Sequence, residues 1–174
     1  MSIIERAIYR KNLGSLIDEI YADKPFAEQT IKVPAVNPER TFLEKIFLLH
    51  EEFQKPFAKI RVDRLSRHLY DVYHLSKTEF ANKALNNKEL YETIVSHRHK
   101  YTKIGGIDYN LHNPKTINPV PVSTIIEAWE KDYKIMIEQM IYEPNPPTFE
   151  MVIAELAILK SKLSSLDWEF ELEF

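Results

Sequence analysis

The 174-residue chain contains no cysteine. Disulfides and thiolate metal sites are therefore excluded, and the absence suits a reducing cytosol. Glycine occurs only at Gly14, Gly105 and Gly106. Many-stranded folds use glycine repeatedly at left-handed and tight-turn positions, so this scarcity points to helices joined by proline-marked loops. It also leaves no material for a glycine-rich phosphate loop. No apolar run approaches the ~18 residues that a membrane helix needs. The segment Met1 to Arg10 carries Glu5, Arg6 and Arg10 where a secretory signal would be apolar. A large charge imbalance is missing too: the formal net charge is -3. Such a chain does not advertise a nucleic-acid surface, although it leaves room for a local basic patch. Neither Gly-x-Ser-x-Gly nor His-Glu-x-x-His occurs, so serine hydrolase and zincin chemistries have no support. These exclusions lead to the expectation of a soluble, cytoplasmic protein.

What is present is enough for a core. Hydrophobic residues make up 44% of the chain, which is ordinary for a globular domain of this length. Asn12 to Asp23 spaces Leu13, Leu16, Ile17, Ile20 and Tyr21 near the helical period and predicts a short helix ended by Pro25. Gln29 to Val36 alternates β-branched residues and predicts one extended strand without a partner. Asn37-Pro38 reads as a cap and first position of a helix running to about Gln54, stopped by Pro56. Asp63 is placed to cap the next helix, through about Ser76. Thr78 to Asn86 and Lys88 to Tyr101 predict two more helices. Lys103 to Val122 is a loop of about 20 residues, a length usually functional or mobile in a compact domain. Thr124 and Glu127 form a capping-box pattern opening a helix to about Tyr142, and Thr148 caps a last helix to about Leu163. The expected fold is mainly α: a bundle of about six helices with a short N-terminal extended segment, forming one domain over residues 1–174.

Two residues stand at the edges of apolar faces. With Phe42 at zero on a helical wheel, Ile46, Leu49 and Phe53 fall within roughly 40° of it. Lys45 lies near the edge of that stripe, while Glu44 and Glu51 face the opposite side. Lys45 either covers the core edge with its stem while its amine reaches water, or points into a groove beside the core. On the next helix Leu65, Leu69, Val72 and Leu75 form the buried face, and Arg64, Arg67, Asp71 and His74 line a neighbouring stripe. That stripe suits a polyanion such as a triphosphate, with Asp71 orienting a cation or helping to hold Mg²⁺. The more ordinary reading is an Arg67–Asp71 pair one turn apart, worth a few tenths of a kcal/mol.

The pattern Pro38-Glu39-Arg40-Thr41-Phe42-Leu43-Glu44-Lys45, then His50, then Ser66-Arg67-His68-Leu69-Tyr70-Asp71-Val72-Tyr73, resembles the AbiEii/AbiGii nucleotidyltransferase toxins of bacterial abortive-infection and type IV toxin–antitoxin systems. The similarity is strongest from Thr30 to Tyr73 and less specific over the helical remainder. The resemblance implies a small nucleotidyltransferase sheet domain followed by a helical domain. It implies transfer of nucleotides from NTP with Mg²⁺, in some members onto tRNA, and an antitoxin protein as partner. By the same resemblance, Lys45 matches the lysine that contacts the nucleotide phosphates and Asp71 the downstream essential aspartate. Arg67 and His68 match the flanking positions, read as nucleotide-binding. The family's Gly-Ser motif, followed about ten residues later by metal-holding Asp-x-Asp, has no counterpart at that spacing. Here Gly14-Ser15 is followed by Asp18 and Asp23, five apart on a predicted helix, and reads as a chance match. No metal ligand is therefore assigned to this chain. The expectation is the C-terminal helical half of such an enzyme, lacking the catalytic sheet half and inactive alone unless, for instance, a homo-oligomer completes the sheet. The alternative is a non-catalytic interaction protein, a degenerate half-toxin using the Trp129, Tyr133, Met136, Ile137 and Met140 stripe or the acidic tail Asp167 to Phe174.

The remaining features read as structural. His97-Arg98-His99 invites a metal reading, but histidines two apart on a helix diverge, and a solvated surface is expected. Tyr101 to Tyr109, with Lys100 and Lys103, either contacts RNA or packs its tyrosines on the core. The tail either pairs as an edge strand with another chain or is a disordered terminus.

Overall fold

The computed structural model describes residues 8–28 and 30–174. Gln29, the expected first residue of the strand, lies outside them, as does most of the segment tested for a signal sequence. The chain is mainly α, as its glycine and proline usage predicts. Among the described residues there are seven α-helices and one two-stranded sheet. They divide after Pro38 into two compact units.

The first unit holds the sheet. β1 (Ile8–Leu13) pairs antiparallel with β2 (Ile31–Val36), in the register Leu13↔Ile31, Lys11↔Val33. The strand expected to lack a partner has one, and Asn12 and Leu13 belong to a strand and not to the predicted helix. Pairing with a segment about twenty residues away outweighs a weak local period, because each paired residue gains ladder hydrogen bonds. The helix is shortened to α1 (Leu16–Ile20). Ser15 fixes its start, its Oγ accepting from the backbone N–H of Ile17 at 3.0 Å and Asp18 at 3.4 Å. Gly14-Ser15 is thus a helix start. A Cβ at Gly14 would come within 3.1 Å of Thr30 Cγ2, a tight contact.

The second unit holds the core. α2 (Pro38–Gln54) and α3 (Ser66–Ser76) carry the two edge residues, followed by α4 (Glu79–Leu85) and α5 (Lys88–His97). After a long connection come α6 (Ile126–Met140) and α7 (Phe149–Ser164). α3 packs against both α6 and α7. Phe42, Leu43, Ile46, Phe47 and Leu49 of α2 are wholly buried with Leu69 and Val72 of α3. Trp129 is fully enclosed and Tyr133 and Met136 nearly so, so these three are core, whereas Ile137 is partly buried and Met140 is 49% exposed.

Two of the expected caps do not form. Asp63 does not cap α3; the carboxylate of Asp132 on α6 does, accepting from the N–H of Arg64 at 2.8 Å and Ser66 at 3.0 Å. The Thr124/Glu127 box does not form, because a 3-10 turn over Ser123–Ile125 leads into α6. Thr148 does cap α7, its Oγ1 accepting from Met151 N–H. The tail neither forms a strand nor trails away. Trp168, Phe170 and Leu172 pack on the core, with Trp168 edge-on to Tyr91 at 5.2 Å. Phe174 exchanges two hydrogen bonds with Asn110.

Candidate functional site

α2 and α3 place Lys45 and Asp71 side by side, with Lys45 Nζ 2.6 Å from Asp71 Oδ2. Each stands at the rim of a buried stripe, so their side chains are 23% and 39% exposed. Lys45 is half-buried at the core edge, and its amine ends against a neighbouring carboxylate and not in open water. His68, one turn before Asp71, lies behind the lysine with Nδ1 3.4 Å from Nζ. Burial, then the positive charge of Lys45 and of Arg67, drags the His68 pKa down to about 4. The ring is neutral at pH 7, so Nδ1 accepts a hydrogen bond from the ammonium group. Its 3.9 Å approach to Asp71 is accordingly not an ion pair.

The expected Arg67–Asp71 pair is absent, because Asp71 is committed to Lys45. Among the described residues the exposed Arg67 side chain makes no ion pair or hydrogen bond. The site thus presents one paired cation, one unpaired cation and one carboxylate on a partly open surface. Beside it, Tyr70 donates to Glu143 Oε1 at 2.6 Å, tying α3 to the segment after α6.

The loop before α3 is held from below. Glu52 is 2% exposed, and its carboxylate accepts from Lys55 at 2.7 Å, the Arg61 backbone N–H at 2.6 Å and the Arg61 guanidinium at 2.9 Å. Burial raises the Glu52 pKa, but hydrogen bonds from Arg61 and Lys55 outweigh it and hold the carboxyl below its ordinary range.

A second polar cluster lies on the far side of α2, where the wheel placed Glu51 opposite the core. Glu51 is 1% exposed and is bound through both oxygens by Arg98, with Arg98 Nε at 2.7 Å, and by His112 Nε2 at 3.2 Å. The solvated surface expected for His97-Arg98-His99 is therefore wrong at Arg98. A π-turn over Arg98–Thr102 aims that side chain inward. The expected functional or mobile loop folds over the same face. Tyr109 stacks on His112 at 5.0 Å, and Asn118 N–H donates to His50 Nδ1 at 3.0 Å. Burial and the charge of His112 lower the His50 pKa to about 4. Of the two loop tyrosines only Tyr109 packs; Tyr101 is 65% exposed. No sequence period flags this cluster, because its members come from three separated segments.

Mg²⁺ is held by one or two carboxylates with phosphate and water completing an octahedron. Asp71 offers one carboxylate whose Oδ2 already faces an ammonium, and no group of three potential metal ligands occurs among the described residues. These residues fit the phosphates of a nucleotide better than a self-sufficient metal cage. Among the described residues no helix is long and apolar enough to cross a membrane. A family model described as "Nucleotidyl transferase AbiEii toxin, Type IV TA system" matches residues 3–155. No curated protein and no solved structure gives a significant match.

Proposed function

Because the chain belongs to the AbiEii nucleotidyl transferase toxin family, we propose that its helical unit holds the phosphates of an NTP for nucleotidyl transfer, with Lys45 and Arg67 as the phosphate-binding cations. In that transfer an acceptor hydroxyl oxygen bonds to the α-phosphorus and releases its proton to solvent. The bond from that phosphorus to its bridging oxygen breaks, and pyrophosphate leaves with the electron pair. Charge grows on the leaving phosphates, where a fixed ammonium and guanidinium stabilise it. Asp71 positions Lys45 before the nucleotide arrives and afterwards faces the metal or the acceptor. His68, neutral, is a second anchor for the lysine and adds no competing charge. Mg²⁺ in this family supplies charge neutralisation at the phosphates. The acceptor is tRNA, the compartment the cytoplasm, and an antitoxin protein the controlling partner.

The observation that carries this reading is the 2.6 Å contact of Lys45 with Asp71, reached across two helices from separate motifs. The sequence holds no Asp-x-Asp. We therefore expect the chain, as a module resembling the family's C-terminal half, to have little transferase activity alone. Labelled NTP incorporation into bulk tRNA tests this: robust incorporation by the pure chain, abolished in Asp71→Ala, would refute the inactivity. Calorimetry with Mg–NTP tests the site itself. Weak binding lost in Lys45→Ala is expected. No binding by the unaltered chain would sink the phosphate site and leave a non-catalytic interaction protein as the better reading.

A further inference from the structure

The mildly acidic chain concentrates positive charge in one place. From Lys55 to Arg67 there are five cations, Lys55, Lys59, Arg61, Arg64 and Arg67, against the single acid Asp63. Two of them, Lys55 and Arg61, are tied to Glu52, which pins the loop to α2, although the Arg61 side chain remains 65% exposed. The other three, Lys59, Arg64 and Arg67, are exposed, and among the described residues their side chains make no ion pair. Arg64 has φ 59, a left-handed backbone that arginine rarely adopts. Its N–H is gripped by Asp132, so the fold maintains a strained backbone at an exposed cation. Within the same segment Phe57, in the 3-10 turn Phe57–Lys59, is 63% exposed. An exposed aromatic ring in a segment of unpaired cations lowers stability or does nothing in an isolated fold. It is useful where bases stack while phosphates are neutralised.

We propose that residues 57–67 form a binding surface for single-stranded RNA, with Lys59, Arg64 and Arg67 on its phosphates and Phe57 stacking on a base. Arg67 belongs both to this surface and to the Lys45–Asp71 site, so a strand lying along it runs toward that site with its end. The strand's delivery to the site rests on the nucleotidyl-transfer reading; the RNA contact itself does not. Base stacking is sequence-tolerant, and no hydrogen-bonding pocket accompanies it, so the surface reads backbone and single-strandedness and not sequence.

Fluorescence anisotropy of a labelled single-stranded oligoribonucleotide with the full chain tests this. The unaltered chain is expected to bind with an affinity that falls as salt rises. Lys59→Ala/Arg64→Gly is expected to flatten the log–log salt slope by about 1.4, two phosphates at about 0.7 each. Phe57→Ala is expected to weaken binding about tenfold at every salt concentration. Glycine suits the backbone at position 64, and a denaturant midpoint no lower than that of the unaltered chain in these variants reports an intact fold. Unchanged RNA affinity and slope in the double variant would overturn the proposal. So would no RNA binding by the unaltered chain, or equal binding of duplex RNA without any effect of Phe57→Ala. If RNA binding behaves as expected while Mg–ATP does not bind, the phosphate-site reading fails and the RNA surface stands.

Discussion

A lysine and a histidine 3.4 Å apart with an arginine one residue away do not all carry charge at once, and the histidine yields. His68 and the enclosed His50 both have pKa values lowered to about 4, the first by burial and two cations, the second by burial and His112. In the unfolded chain both titrate near 6.5. Between about pH 6.5 and pH 4 the unfolded chain therefore binds more protons, and acidification through that window favours unfolding. At pH 5 the loss is on the order of 2 kcal/mol per histidine. Denaturant midpoints at pH 7 and pH 5 check this, with the drop smaller in His68→Gln, which keeps an acceptor for Lys45. A midpoint that is flat over this range would contradict neutral buried histidines. Lys45→Ala itself is expected to cost less than about 1 kcal/mol of stability, because a partly exposed ion pair contributes little. Loss of nucleotide binding in that variant would then report on the site and not on folding.

α3 begins where two distant carboxylates dictate. Glu52 on α2 pulls Arg61 down, and Asp132 on α6 satisfies two N–H groups that the helix start would leave open. Asp132→Ala is expected to destabilise by about 2 kcal/mol, the upper end for losing an N-terminal cap, since the two N–H groups lose their acceptor together. Arg64→Gly is expected to be neutral or stabilising by up to about 1 kcal/mol, because glycine takes the left-handed backbone without strain. Chemical denaturation of both variants measures the pair of effects. A destabilising Arg64→Gly would mean that the arginine side chain holds the loop. At this scale the apolar periods were informative: α2, α3 and α7 end within a residue or so of their predicted bounds. The caps were not, since Asp63 was the local choice and Asp132, sixty-nine residues further on, is the actual one.

Across the second unit, Glu51, Arg98 and His112 join α2, the π-turn and the loop before α6 through one buried carboxylate. Burial raises the Glu51 pKa, but hydrogen bonds from Arg98 and His112 outweigh it and hold it below the ordinary carboxylate range. Removing one partner of such a pair leaves an uncompensated buried charge. Glu51→Ala is expected to cost about 3–5 kcal/mol, and Glu51→Ala/Arg98→Met to recover part of that. Thermal unfolding of the single and double variants decides it; a double variant as unstable as the single one would show that Glu51 matters for its shape and not its charge. The same link explains why a connection of such length is ordered. Its anchors, Asp108 on Gln54, His112 on Glu51 and Asn118 on His50, all lie on one turn of α2.

The sequence by itself determined the helical class, the bounds of the main helices and the candidacy of Lys45 and Asp71. Period, proline and capping residues act within a few positions of each other, so they can be read along the chain. Tertiary structure alone decided that Lys45 meets Asp71 and leaves Arg67 unpaired, that Asp132 caps α3, and that Glu51 is buried. It also decided that the N-terminal extended segment pairs with β1. Each of these depends on residues between about twenty and seventy positions apart, and a helical wheel assigns one buried face where packing from two sides makes two. The charge of Lys55 to Arg67 was countable from the start. Which of its cations are spent on Glu52, and which face solvent beside Phe57, only the fold could settle.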